Sequence, residues 1–122
     1  MLKYIPYFFC ALLFNSLYAQ EFKRSYAVET IDLPKGLSAQ VAALDLMPDG
    51  RLVAAFSSGE IMMYNTVTQQ WSVFAHGMHE PLGISVLDNN TVVFIQRPEL
   101  TKATDTDGDG KADMQIVVEY PK

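Results

Sequence analysis

The sequence predicts an all-β protein whose strands form two four-stranded antiparallel units. Short apolar and β-branched runs alternate with turn signals, and no stretch keeps a helical period over a useful length. Residues 44–56 also align with residues 84–96 at an offset of 40, without a gap. Four strands in a unit of about 40 residues is the period of a β-propeller blade. An unrelated small β-sandwich is the alternative, since any series of hairpins can produce a similar pattern.

The first unit covers residues 38–76 and is predicted as blade 1. Strands are expected at 41–46, 51–56, 60–65 and 70–75. The signal Pro48-Asp49-Gly50 separates the first two strands, and Ser57-Ser58-Gly59 separates the next two. A lead-in segment, residues 20–37, precedes this unit. It alternates well enough over residues 26–33 to predict one more strand, which Pro34-Lys35-Gly36 ends.

The second unit covers residues 77–122 and is predicted as blade 2. Its first two strands follow from the alignment with residues 44–56. A third strand is expected at residues 99–102 and a fourth at residues 115–120. An acidic loop at residues 105–113 lies between these last two strands as a short insertion.

Residues 1–19 are predicted to be a secretory signal peptide. Lys3 gives a positive start, residues 5–14 are almost wholly apolar, and Ala19 offers a small residue for cleavage. A membrane anchor is the alternative, but the apolar run is short for a span and contains Pro6. Small residues do not precede Cys10, which argues against a lipoprotein. The expected location is therefore secreted or periplasmic.

The composition limits the partners of the mature chain. Removing residues 1–19 takes away Lys3 from the 9 basic residues and none of the 14 acidic ones, which leaves a net charge of 8 − 14 = −6. This acidic balance argues against a nucleic-acid partner and against contact with an anionic membrane beyond the signal peptide. Cleavage also removes the single cysteine, so disulfides cannot stabilise the mature chain.

The acidic loop is the strongest candidate site. Carboxylates occupy its relative positions 1, 3, 5 and 9, with a glycine at position 6, as in oxygen-rich loops that hold Ca²⁺. Position 12 is Ile116 rather than the bidentate Glu of helix-loop-helix sensors, and the flanks are β-branched. A structural Ca²⁺ between strands is therefore predicted, and a solvated turn is the alternative. Glu119 or a backbone carbonyl could supply a missing ligand. The predicted metal-binding residues are Asp105, Asp107, Asp109, Lys111 and Asp113.

A motif within the second unit carries a family resemblance. Residues 77–86 read Gly-Met-His-Glu-Pro-Leu-Gly-Ile-Ser-Val, residues 96–101 read Gln-Arg-Pro-Glu-Leu-Thr, and residues 105–113 match D-x-D-G-D-G-x-A-D. In this order they resemble the secreted propellers related to quinoprotein glucose/sorbosone dehydrogenases. The likeness is to the membrane-bound dehydrogenase branch, some members of which carry a c-type haem domain. It covers about residues 26–120, and its specific part is residues 77–113.

The resemblance implies a six-bladed propeller that oxidises a sugar or another alcohol with pyrroloquinoline quinone. Two blades cannot close a ring, so the chain is expected to be the N-terminal portion of a longer protein, inactive by itself. A truncated reading frame is the alternative. The chain's expected partners are the remaining blades and a c-type haem domain, although these residues contain no C-x-x-C-H motif. The alternative is a non-catalytic, calcium-stabilised binding or scaffold propeller attached to an electron-transfer or other catalytic domain.

Three residues are candidates for chemistry at the mouth of a propeller channel. His79 and Glu80 are neighbours that could act as a base and its orienting carboxylate. The alternative is an exposed loop of ordinary polar residues. Arg97 could bind an anionic quinone, or it could form a structural ion pair with Glu99 or Glu80.

Three further residues are assigned mainly to packing. Trp71 is expected to pack in the core or between blades rather than to stack on a sugar. Met62 and Met63 are expected on opposite faces of one strand. His76 and His79 could form half a metal site, but their spacing is not diagnostic.

Overall fold

The described part of the chain consists of two antiparallel sheets. The structure is a computed structural model, and it describes residues 26–118. The first sheet has the order β1-β2-β3-β4 and the second the order β5-β6-β7-β8, and every paired neighbour is antiparallel. Residues 26–118 contain no helix. The all-β class and the two four-stranded antiparallel units are therefore confirmed. The strands are β1 (Val41–Leu46), β2 (Leu52–Phe56), β3 (Ile61–Asn65), β4 (Gln70–Ala75), β5 (Gly83–Asp88), β6 (Thr91–Gln96), β7 (Glu99–Thr104) and β8 (Met114–Val117).

The lead-in differs from the prediction, because residues 26–33 contain no strand. From Ile31 onward this segment belongs to the same compact unit as both sheets. Its apolar side chains, Leu33 and Leu37, pack against a sheet face instead of adding a strand at an edge. A turn between them, closed by the Leu37 N–H bond to the Pro34 carbonyl at 3.2 Å, redirects the chain. The predicted signal peptide lies outside the described residues.

Alternation along the strands gives each sheet two faces. In the first sheet we call the face of Ala43, Val53, Ala55, Ile61 and Met63 the forward face, and the face of Leu44, Leu46, Ala54 and Met62 the rear face. The strand register gives the second sheet the same two faces. Its forward face carries Ser85, Val93, Ile95, Leu100 and Lys102, and its rear face carries Ile84, Val86, Val92, Phe94 and Ala103.

The main core lies between the two sheets. It joins the forward face of the first sheet to the rear face of the second. Val53, Ile61 and Val92 are 0% exposed and Phe94 is 1% exposed. Burying apolar surface in this way is worth about 25 cal/mol per Å², so this core stabilises the packing of one sheet on the other.

A second, smaller cluster covers part of the rear face of the first sheet. Leu33, Leu37 and Trp71 pack against the buried residues Ala54, Phe56 and Met62. The Trp71 ring centroid lies 4.9 Å from that of Tyr64 and 6.0 Å from that of Phe56. Its indole N–H donates to the Asp32 carbonyl at 2.9 Å. The packing assignment of Trp71 is thus confirmed, and Met62 and Met63 lie in different clusters, as expected for opposite faces.

Hydrogen bonds join the two sheets, and one of them links positions that are equivalent in the repeat. Strand β1 lies beside β5, and the Val86 N–H donates to the Asp45 carboxylate at 2.7 Å. At the adjoining turns the Asp49 N–H donates to Oδ1 of Asn89 at 2.9 Å, and Arg51 Nη2 donates to the Asn89 carbonyl at 2.8 Å. Asp49 and Asn89 are equivalent in the alignment at an offset of 40. The repeat seen in the sequence therefore corresponds to a contact in three dimensions.

Candidate functional site

The acidic loop connects β7 to β8 and begins on a buried residue. Asp105 follows β7 directly and is 5% exposed. Its N–H donates to the Asn90 carbonyl at 2.9 Å, which ties the start of the loop to the β5–β6 turn. At the other end, the Asp113 N–H donates to the Thr104 carbonyl at 3.1 Å. Both ends of the loop are therefore held by the second sheet.

Two glycine amides are directed at the Asp105 carboxylate. The Gly108 N–H donates to Oδ1 at 2.7 Å and the Gly110 N–H donates to Oδ2 at 2.8 Å. Both glycines have positive φ, 81° and 86°, where a side chain would strain the backbone. Burial by itself would raise the pKa of Asp105, but the amides of Gly110 and Gly108 outweigh it and hold that pKa below its ordinary value.

Three carboxylates of the loop converge. Oxygens of Asp105, Asp107 and Asp109 all lie within 4.8 Å of one another. The Asp109 N–H donates to Asp107 at 3.1 Å and the Lys111 N–H donates to Asp109 at 2.8 Å, so successive turns direct these side chains. Asp107 and Asp109 are exposed. Hard cations such as Ca²⁺ prefer oxygen ligands of this kind, and repulsion among three carboxylates would fall if a cation joined them.

The other two predicted metal-binding residues are not part of this group. Asp113 accepts hydrogen bonds from the N–H of Thr106, at 3.0 Å, and from its hydroxyl, so it braces the loop from within. Lys111 is exposed and could contribute only its backbone carbonyl to a cation. The structure therefore brings together three of the five predicted residues.

The loop also contacts the first sheet. The Ala112 N–H donates to the Phe74 carbonyl of β4 at 2.8 Å. Beside this bond lies an open cleft of about 390 Å³, lined in part by His76, Lys111 and Gln115. His76 thus lies at the cleft beside the loop, and it is not among the residues that converge with Asp105.

His79, Glu80 and Arg97 lie together before β5 and after β6. The His79 N–H donates to Oε1 of the buried Gln96 at 2.8 Å, and the Arg97 N–H donates to the His79 carbonyl at 3.1 Å. Arg97 Nε lies 3.4 Å from Oε2 of Glu80, and both side chains are mostly exposed. Of the two ion-pair partners expected for Arg97, the structure shows Glu80.

Backbone conformation and a polar network shape this corner. Glu80 has a φ of 45°, an uncommon value for a residue other than glycine. Gln96 donates through Nε2 to the Thr101 hydroxyl at 2.8 Å and to Glu99 at 3.3 Å. Glu99 Oε1 thus accepts from Gln96 and from the Thr101 hydroxyl, while Glu80 pairs with Arg97.

Sequence reasoning missed the residues that join the sheets and support this corner, namely Asp45, Asn89 and Gln96. For Asn89 a signal was present, because the alignment matches it to Asp49. Asp45 resembles an ordinary polar residue on an exposed strand face, and Gln96 resembles the end of a strand. Their partners, Val86 and Thr101, follow only from the three-dimensional packing and register.

None of the comparisons with known proteins identifies a relative: no family model matches the chain, and the searches of curated proteins and of solved structures give no significant match. Within residues 26–118, no helix is long and apolar enough to cross a membrane.

Proposed function

We propose that the two sheets are consecutive blades of a β-propeller. The observation that carries this proposal is the contact between equivalent positions, in which Asp49 bonds Asn89 at an offset of 40. The sheets also share one strand order, and the equivalent strands β1 and β5 lie side by side. Propeller blades are four-stranded sheets arranged around a central channel, which fits this arrangement.

For the whole protein we propose a secreted or periplasmic sugar or alcohol dehydrogenase that uses pyrroloquinoline quinone. The support is the motif resemblance to the glucose/sorbosone dehydrogenase class over residues 77–113. In this proposal the remaining blades of a longer chain supply most of the quinone site, and a c-type haem domain accepts electrons. His79, Glu80 and Arg97 are the candidates that the present residues would contribute at the channel mouth.

The deciding assay for this activity is dye-linked sugar oxidation by the protein expressed from its complete gene. Turnover that requires added quinone, with none from residues 1–122 alone, is the expected result. His79→Ala should reduce that turnover if His79 acts as a base, with Val67→Ala as a control in an exposed turn. Quinone-independent turnover, or none with any sugar or alcohol tested, would count against the dehydrogenase.

The second candidate is a non-catalytic binding or scaffold propeller, attached to a separate catalytic or electron-transfer domain. The observation that favours it is the pairing of Arg97 with Glu80, since a paired guanidinium is less available to an anionic cofactor. Complete protein that folds and binds a partner domain but neither binds quinone nor oxidises sugars would support this candidate.

We propose further that the acidic loop binds Ca²⁺ and stabilises the connection between β7 and β8. Its support is the spacing of the carboxylates and the convergence of Asp105, Asp107 and Asp109 within 4.8 Å. A cation that binds only the folded chain stabilises it by about 2.7 kcal/mol at a concentration 100 times the dissociation constant. The melting temperature should therefore rise between chelator and millimolar Ca²⁺.

The calcium titration has a matched control. Asp109→Asn should abolish the rise in melting temperature, whereas Glu29→Gln, an equal change of charge at an exposed position, should keep it. A parent chain whose melting temperature and protease resistance do not respond to Ca²⁺ would rule out this role. The loop would then be a solvated turn, held by the bonds to Asp105 and Asp113.

We also propose secretion by cleavage after Ala19. The support is the positive start, the apolar run and the small residue at the cut. Mature protein from the periplasm or culture medium should begin at Gln20. Protein recovered intact from the membrane fraction would favour the anchor instead.

A further inference from the structure

The forward face of the second sheet is apolar and largely uncovered. Ile95 is 54% exposed, and Val93 and Leu100 are half-buried beside it. Together with Gly83 and Ser85 they line a shallow groove of about 260 Å³. An exposed apolar surface of this kind on a sheet is a site where another chain segment can pack.

The repeat shows what kind of surface this is. At the offset of 40, Val93 and Ile95 correspond to Val53 and Ala55, and the strand register then matches Leu100 to Ile61. Val53, Ala55 and Ile61 are all 0% exposed, because the rear face of the second sheet covers them. The uncovered groove is thus the counterpart of a face that is fully buried by a sheet.

The complementary surface lies on the other outer face of the two packed sheets, which is the rear face of the first sheet. On the rear face of the first sheet, Leu44 is 57% exposed and Leu46 is 62% exposed. Their equivalents, Ile84 and Val86, pack into the main core. The lead-in covers the neighbouring residues of that rear face but leaves these two leucines open. The forward face of the second sheet and the rear face of the first sheet are therefore both left open, and they correspond to the two halves of the interface that joins the sheets.

We propose that, where no further blades cover these two faces, copies of the mature chain (residues 20–122) associate head to tail through them. The forward face around Ile95 of one copy covers Leu44 and Leu46 of the next. The proposal rests on the proposed blade arrangement, because the contact between copies would repeat the packing of the first sheet on the second. The two surfaces differ, so the contact is heterologous, and such contacts form rings when the rotation closes. A ring of roughly four to eight blades would need about two to four copies.

The contact between copies should be weaker than the one within a chain. Ser85 stands where Asp45 stands in the first sheet, so the carboxylate that binds the Val86 N–H has no counterpart. Lys102 stands where the buried Met63 stands, which adds a charge near the edge of the groove. We therefore expect association that depends on protein concentration and dissociates on dilution.

The experiment is sedimentation analysis of the mature chain, residues 20–122, over a dilution series. The parent should move from a defined oligomer to monomer as it is diluted. Ile95→Lys alters the forward face of the second sheet, and Leu46→Lys alters the rear face of the first sheet. Each variant should be monomeric at every concentration. Val67→Lys, at an 89% exposed turn position, should behave as the parent. Because Ile95 and Leu46 are more than half exposed, both variants should keep the parent's circular dichroism spectrum.

Mixing these two variants gives the sharpest result. Each retains one intact face, so an equimolar mixture should form a dimer of one copy of each variant and nothing larger. A mixture that stays monomeric would overturn the head-to-tail contact. So would a Leu46→Lys chain that still pairs with itself, which would indicate face-to-face pairing, or association that survives both substitutions, which would point to another segment.

A parent chain that is monomeric throughout would also overturn the proposal. That result would leave the blade assignment standing, because further blades on the same polypeptide would cover the same faces. The blade assignment fails instead if the contacts between the two sheets within one copy are not found.

Discussion

At the scale of single residues, two aspartates stabilise the fold by accepting hydrogen bonds from backbone N–H groups. Asp45 accepts the Val86 N–H at 2.7 Å and the Leu46 N–H at 2.8 Å. The Val86 and Leu46 amides lower the pKa of Asp45 against the opposing effect of burial. Asp105 has the same pattern with two glycine amides. Both carboxylates are therefore structural acceptors that need their charge.

These lowered pKa values predict that the fold loses stability as the pH falls into the acid range. A carboxylate whose folded-state pKa is depressed stabilises the fold above the ordinary carboxyl pKa, and that contribution is lost as the pH falls through the folded pKa. The melting temperature should therefore decline steeply below about pH 4. Asp45→Asn and Asp105→Asn should each melt lower than the parent near neutral pH but show a flatter decline in acid. Melting curves from neutral pH to about pH 2 test this, with Asp32→Asn as an exposed control. Equal acid slopes for parent and variants would contradict it.

At the scale of single elements, the β2–β3 hairpin depends on Gly59. Its φ is 108°, and a Cβ there would lie 2.5 Å from the Met78 carbonyl oxygen. The Met78 N–H in turn donates to the Gly59 carbonyl at 3.0 Å. The hairpin and the segment that leads to β5 therefore approach too closely for any side chain.

Gly50 provides the matched comparison for Gly59. It also has a positive φ, 88°, but a Cβ there would meet open space. Gly50→Ala should cost only the backbone strain of a left-handed residue, about 1–2 kcal/mol. Gly59→Ala should cost more, because the steric contact with Met78 adds to that strain. Chemical denaturation of both variants measures the difference, and equal costs would show that the close approach is absent.

Much of the element level could be predicted from the sequence, for physical reasons. Turn signals such as Pro48-Asp49-Gly50 act locally, and short apolar and β-branched runs favour extended strands whichever face becomes buried. Alternation is a poorer guide to the faces, because Leu44 and Leu46 are exposed while Asp45 between them is half-buried. The error at residues 26–33 has the opposite cause. Leu33 and Leu37 are partly buried because they pack onto a sheet whose strands lie later in the chain. An alternating pattern does not distinguish such packing from strand pairing.

The candidate site was less predictable than the fold. The spacing within residues 105–113 identified the acidic loop, and three of its carboxylates do converge. Which carboxylates converge and which one braces the loop depends on the three-dimensional turns of the loop, which place Asp113 against Thr106. In the same way, the sequence offers both Glu80 and Glu99 as partners of Arg97, and only the three-dimensional structure shows the pair with Glu80.

At the scale of the whole molecule, one interface holds the two sheets together. Phe94 on the rear face of the second sheet is 1% exposed in the main core. Phe94→Ala should cost about 3–5 kcal/mol, since it removes a large buried ring and leaves a cavity. Val67→Ala, in an exposed turn, should stay within about 0.5 kcal/mol of the parent. Denaturant unfolding measures both, and a small cost for Phe94→Ala would mean that the sheets are not packed.

The two sheets dock through hydrogen bonds across their junction, and amide hydrogen exchange tests this docking most directly. The amides of Asp49, Val86 and Ala112 donate across the junction, at 2.9, 2.7 and 2.8 Å. They should exchange as slowly as amides inside the sheets, and Asp45→Ala should speed exchange at Val86 while leaving the interior of β6 protected. Exchange of these three amides at the rate of an unstructured peptide, with both sheets still protected, would contradict the docking.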